Sequence, residues 1–155
     1  MQAVGEENLH LIAREDEQEK ALVGIWQAAS VMGAGWADTY RFFGDGAFRH
    51  HASQMDCAAR EVSQTGTWAL RKKSLVLRIT ERTVIEGGKL EPAIGSCGSK
   101  DQLVGGTSRI EKIAPAKEMI VPLTQVQKDA DTERLTMRLG ELQYWKYDDD
   151  PRRYP

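Results

Sequence analysis

From residue 22 onward the chain alternates apolar and polar side chains with a period of two. Leu75, Leu77 and Ile79 alternate with Val76, Arg78 and Thr80; Leu135, Met137 and Leu139 alternate with Arg134, Thr136 and Arg138. Tyr40 and Phe42 share one face, with Thr39 and Arg41 on the other. Such alternation buries one face of an antiparallel strand and wets the other. Parallel sheets need continuous apolar runs and helical crossovers, and the pattern predicts neither. The predicted strands are drawn from runs at about 22–31, 36–43, 47–54, 64–70, 74–81, 83–91, 106–113, 118–124, 132–139 and 142–147; two of these ten are candidate bends, for a count of eight or nine. Their inward side chains are Tyr40, Phe42, Phe48, Leu75, Leu77, Ile79, Leu135, Met137 and Leu139.

Turn signals separate these runs. Gly44-Asp45-Gly46 between Phe42-Phe43 and Phe48 predicts a hairpin, where glycine tolerates the positive φ of a tight reversal. Arg71-Lys72-Lys73, Gly87-Gly88, Gly105-Gly106 and Gly140 predict further reversals, while Pro92, Pro115 and Pro122 mark strand ends or edges. Ahead of the strands, residues 6–21 are rich in Glu, Gln, Leu and Ala and hold no Gly or Pro. Leu9, Ile12 and Ala13 line one side, with Glu15, Asp16, Glu17 and Glu19 on the rest, which predicts a short amphipathic helix; a loose acidic leader is the alternative. The chain thus divides into a helical or leader segment, 1–21, a β domain, 22–147, and a polar tail, 148–155.

Composition narrows the field. At 155 residues, 41% hydrophobic and 28% charged, with net charge −2, the chain describes one globular domain with a real core. No apolar run approaches the ~18 residues of a membrane helix. Near-neutral charge argues against a nucleic-acid binder. Trp26, Trp36, Trp68 and Trp145 demand burial, which argues against disorder.

The succession Leu22-Val23-Gly24-Ile25-Trp26, Tyr40-Arg41-Phe42-Phe43-Gly44-Asp45-Gly46-Ala47-Phe48, Gly66-Thr67-Trp68-Ala69-Leu70 and Leu75-Val76-Leu77 resembles the lipocalin-like (calycin) β-barrels of bacterial envelope and secreted proteins. The closing Gln143-Tyr144-Trp145-Lys146-Tyr147 is similar to their aromatic last strand. The likeness covers roughly residues 22 to 80 and the final strand, with nothing diagnostic between 82 and 130. It implies an all-β antiparallel up-and-down meander forming a lipocalin-like barrel or half-barrel, whose mouth holds one small apolar molecule or whose interior is filled by side chains. Gly24, Gly44, Gly46, Gly66 and Trp145 are read as architectural. Trp26, Tyr40, Phe42, Trp68 and Met137 are the candidates to line a ligand, against the plainer reading that the tryptophans are core.

Motifs for chemistry are thin. His50 and His51 are adjacent on a strand, point to opposite faces, and do not readily share a metal. Gly95-Ser96-Cys97-Gly98-Ser99-Lys100 lacks the spacing of a phosphate loop and reads as a connection. Asp148-Asp149-Asp150 lacks the calcium-loop pattern and reads as a solvated terminus. No metal and no cofactor is predicted. Cys57 and Cys97 sit in Gly/Ala/Ser-rich surroundings. Bridged, they close a loop of about 40 residues for roughly 4 kcal/mol in an oxidising compartment; two free thiols in a reduced cytosol are the alternative.

The expected function is a non-enzymatic lipocalin-like domain of the bacterial envelope, binding a small hydrophobic ligand or a partner protein. Its expected place is periplasmic, outer-membrane-anchored or secreted if a leader was removed, and otherwise cytoplasmic. The alternatives are a small barrel isomerase or hydrolase, which needs His50, a carboxylate such as Asp38 or Glu86, and an arginine in one pocket, or a purely structural envelope domain.

Overall fold

The computed structural model describes residues 17–30, 37–53, 55–95 and 97–154. A short helix, α1, covers 17–22; the rest of the segment expected to be helical, and Trp36, lie outside the described residues. Eleven strands follow: β1 Gly24–Gln27, β2 Thr39–Phe42, β3 Ala47–His51, β4 Glu61–Arg71, β5 Ser74–Glu86, β6 Lys89–Pro92, β7 Asp101–Val104, β8 Thr107–Pro122, β9 Gln127–Lys128, β10 Leu135–Leu139 and β11 Leu142–Asp148. Nine pair antiparallel in one sheet, ordered β8-β5-β4-β3-β2-β1-β11-β10-β9, and β6 pairs with β7 apart from it. The all-β antiparallel class is therefore correct.

The sheet is not closed into a barrel, because β8 and β9 stand at the ends of its order. What links its two sides is an isolated bridge just past β8, between Leu123 and Leu139 of β10. Beside it the Thr124 amide donates to the Arg138 carbonyl at 3.0 Å and the Gly140 amide to the Pro122 carbonyl at 2.9 Å.

Several boundaries differ from the sequence pattern. The expected strand 22–31 is the end of α1 followed by a short β1. The expected strands 74–81 and 83–91 are one long β5 plus β6, and 106–113 and 118–124 are one sixteen-residue β8. Pro115 is tolerated inside β8 because it falls in a bulge, between Lys112 opposite Glu81 and Lys117 opposite Ile79, on a strand paired only with β5. β7 and β9 carry no alternation that the sequence revealed.

The inner face holds one cluster drawn from distant strands. Trp26, Phe42, Phe48, Leu75, Leu77, Ile79 and Met137 are each at most 2% exposed, with Tyr40, Trp68, Leu70 and Leu135 packed against them. Two glycines make this packing possible. A Cβ on Gly66 would collide with the carbonyl of Arg78, and one on Gly24, at φ +145°, with the carbonyl of Asp148 and the stem of Lys146. In the β2–β3 turn the positive φ belongs to Gly46, at +94°, whereas Gly44 has open space around it. The turn therefore needs its second glycine and not its first.

α1 stoppers one end of the cluster. Leu22 is fully buried, and its carbonyl accepts the indole N–H of Trp26 at 2.8 Å. The Gln18 side-chain oxygen accepts the Val126 amide at 3.1 Å. Trp145 is only half-buried, on the opposite face from the core, with its indole N–H donating to Asp129 at 3.0 Å. Its neighbours Tyr144 and Lys146 are the ones that turn inward. Away from the core, the β6–β7 excursion is tied to the 55–60 loop by the Cys57–Cys97 disulfide and by the Leu103 amide on the Cys57 carbonyl at 2.8 Å.

Candidate functional site

The antiparallel registers run one row of side chains across the inner face. Trp26 lies opposite Tyr40, Tyr40 opposite His50, His50 opposite Gln64, Gln64 opposite Arg82, and Arg82 opposite Glu111. Directly opposed residues share a face, so the row passes from buried indole to ion pairs within one sheet. At its polar end Arg82 donates to Glu61 at 3.4 Å and to Glu111 at 3.0 Å. Gln64 donates to Glu61 as well.

In the middle of the row His50 packs its ring 4.4 Å from that of Tyr40, and its Nε2 stands 3.8 Å from Asp38 Oδ2. Tyr144 meets Tyr40 edge-on at 5.5 Å. The neighbouring imidazole is the chief reason the Asp38 carboxyl sits below the usual carboxylate range; the Ser53 amide adds to it and burial opposes it. Burial, then the Asp38 charge, pushes the Tyr40 phenol up to about 12. Tyr144 is pushed up for the same first reason, with Tyr40 and Asp38 adding. These phenols stay neutral donors across the physiological range. His50 and Asp38 do converge, as a barrel enzyme requires. Glu86 does not join them: it pairs with Arg109 at 2.7 Å on the β5–β8 ribbon.

The five proposed ligand-lining residues split by burial. Trp26, Phe42 and Met137 belong to the core itself, and Tyr40 and Trp68 pack against it. Trp68 also borders a surface groove of about 410 Å³, with Glu19, Lys20, Val23, Gly44, Asp45, Gly46 and Ala69.

A second arrangement lies on the outer face. Arg41 on β2 stands directly opposite Arg49 on β3, and Thr39 directly opposite His51. The C-terminal tail folds back over them. Arg41 donates to the carbonyls of Pro151 at 2.9 Å and Arg153 at 2.5 Å, and to that of Tyr154. Between tail and sheet runs a groove of about 410 Å³ lined by Ile25, Gln27, Ala37, Thr39, Arg41, His51, Ala52, Val62, Tyr147 and Tyr154. Burial, then the Arg49, Arg41 and His50 charges, holds His51 below its ordinary value; burial and Arg49 do the same to Arg41. Local sequence gave no sign of this cluster, because it is assembled by the β2–β3 register and by a tail more than a hundred residues away. Among the described residues no group of three His, Cys, Asp or Glu side chains is placed to hold a metal ion.

No protein-family model, curated protein or solved structure matches this chain.

Proposed function

We propose that this chain is a non-enzymatic, lipocalin-like domain of a bacterial envelope or secreted protein that works by binding a partner protein on its outer surface. The observation that carries this reading is the filling of the inner face. Seven large apolar side chains at 2% exposure or less occupy the positions where a lipocalin-like barrel would hold its ligand. A half-barrel, an open sheet whose two sides meet at the Leu123–Leu139 bridge, is part of the proposal. The Cys57–Cys97 disulfide supports an oxidising compartment.

A second reading, a small hydrolase or isomerase, draws on the approach of His50 to Asp38 beneath two neutral phenols. Among the described residues no serine, threonine or cysteine side chain is placed against the imidazole, whose contacts are Tyr40 and Asp38, so nucleophilic catalysis has no support.

The test is photo-crosslinking in the host, with a benzophenone side chain placed in turn at Arg49, Val62 and Ile110, which are all exposed. A discrete adduct with one other protein, at one or more of these positions, is expected. Absence of any adduct from every outer position overturns the reading.

A further inference from the structure

The outer edge of β8 carries main-chain groups that no described strand pairs with. β8 ends the sheet order and pairs only with β5, in an unbroken register from Thr107 opposite Glu86 to Lys112 opposite Glu81. Ile85 fixes which way the groups of β8 point. Its amide donates to the carbonyl of Arg60, the residue leading into β4, at 2.8 Å, and its carbonyl accepts the Arg60 guanidinium at 3.1 Å. Both groups of Ile85 therefore face β4 and turn away from β8. Ser108, opposite Ile85, accordingly directs its own N–H and C=O off the sheet, and by alternation Ile110 and Lys112 do the same. Ile110, at 65% exposure, stands in the middle of this outward set. A regular edge with an exposed apolar side chain at its centre is a template for another strand.

We propose that a second copy of this chain docks on that edge, β8 against β8, antiparallel about a two-fold axis at Ile110. The outward set is symmetric about Ile110, so Ile110 meets Ile110 of the second copy and Ser108 meets its Lys112, each pair exchanging both N–H···O=C bonds. Charge selects this register. On the other face of the strand it sets Arg109 opposite Glu111 of the second copy, and Glu111 opposite its Arg109. The next permitted register on one side would oppose Arg109 to Arg109, and on the other Glu111 to Glu111. Arg109 already pairs with Glu86 at 2.7 Å and Glu111 at 3.3 Å in its own copy, so the dimer continues a row of alternating charge. The paired edge stops short of Pro115, which has no N–H to give. This dimer goes beyond the partner-binding reading above and does not depend on it.

The test is sedimentation equilibrium of the oxidised full chain over a wide range of concentration, where a monomer–dimer equilibrium is expected. Arg109→Glu alone, or Glu111→Arg alone, opposes like charges across the axis and is expected to weaken the dimer about tenfold or more. An equimolar mixture of the two variants restores unlike pairs and is expected to associate as the wild type does. Ile110→Pro removes the central outward N–H, which the β5–β8 ladder does not use, and is expected to leave a monomer with the wild-type far-ultraviolet spectrum. A wild type that stays monomeric throughout, undiminished association of Arg109→Glu or Ile110→Pro, or no dimer from the mixture of two folded charge variants overturns the proposal. Photo-crosslinking in the host keeps the two readings apart. An adduct of two copies of this chain from Ile110 supports the dimer, and an adduct with a different protein from Arg49 or Val62 supports the partner.

Discussion

The ammonium of Lys146, on a side chain only 8% exposed, donates a 2.8 Å hydrogen bond to the carbonyl oxygen of Ala21 at the end of α1. A cation at a helix C-terminus meets both the unpaired last-turn carbonyls and the negative end of the helix dipole. The same ammonium lies 5.7 Å from the Trp26 ring and 2.8 Å from the Asp149 carboxylate, so it ties the helix, the core indole and the last strand together.

Lys146→Met keeps the stem and removes the donor, leaving the Ala21 carbonyl without it. Urea unfolding is expected to show a loss of about 1–3 kcal/mol. Trp26→Ala, which empties a fully buried site, is expected to cost about 3–5 kcal/mol. A loss below ~1 kcal/mol for Trp26→Ala would show that the helix does not seal a packed core.

Gly66, in the middle of β4, and Gly44, in the β2–β3 turn, separate cleanly. Gly66→Ala pushes a methyl into the Arg78 carbonyl, in backbone that cannot swing aside, and is expected to cost about 3 kcal/mol or to prevent folding. Gly44→Ala has nothing within 4 Å to meet and is expected to stay within about 0.5 kcal/mol of wild type. Denaturation midpoints of the pair check both; equal losses contradict the β4–β5 packing described above.

Alkaline pH tests the buried phenol. Tyr40 has its folded pKa raised from 10.0 to about 12, so the unfolded chain loses that proton first. Stability is then flat below pH 10 and falls between 10 and 12, by up to roughly 2–3 kcal/mol from this group. Tyr40→Phe is expected to flatten that slope and to remove a late step from the ultraviolet phenolate titration. At the acid end the sign reverses: the lowered Asp38 contributes stability above its ordinary value of 3.8 that is lost as pH falls through its folded pKa. Asp38→Asn removes that dependence.

The disulfide joins the 55–60 loop to the β6–β7 excursion, not to the core strands. Closing 40 residues is worth roughly 4 kcal/mol by chain entropy. Reduction, or Cys97→Ser, is therefore expected to speed amide exchange in residues 55–60 and 89–104 while leaving β2, β3 and β5 protected. Uniform loss of protection across the sheet would mean that the excursion is integral to the core.

Much of this fold was legible in period-two alternation, because β5 and β10 each bury one face and Leu75, Leu77, Ile79 and Met137 all turn inward. The alternation broke down where ion pairs replace apolar residues. Arg82 interrupts the pattern of β5, and its inner-face partners are Glu61 and Glu111 rather than more core, so one strand read as two. β8 was split for a different reason, a proline absorbed by a bulge on an edge. On β11 the sequence pattern marked Trp145 as architectural, whereas Tyr144 and Lys146 are the side chains that turn inward. The lysine goes inside because α1 provides a carbonyl for it, a long-range fact invisible to local pattern. The outer-face cations were hidden similarly: Arg41 and Arg49 meet only through the strand register.

Whether the inner face is full decides where this domain binds, and titration with N-phenyl-1-naphthylamine, followed through its emission and that of Trp26, addresses it directly. The seven buried side chains predict no saturable binding by the folded protein and no change when Met137 is replaced by Leu. One-to-one binding that quenches Trp26, and that is lost in Phe42→Trp, would contradict the filled interior and return the function to the carriage of a small apolar ligand.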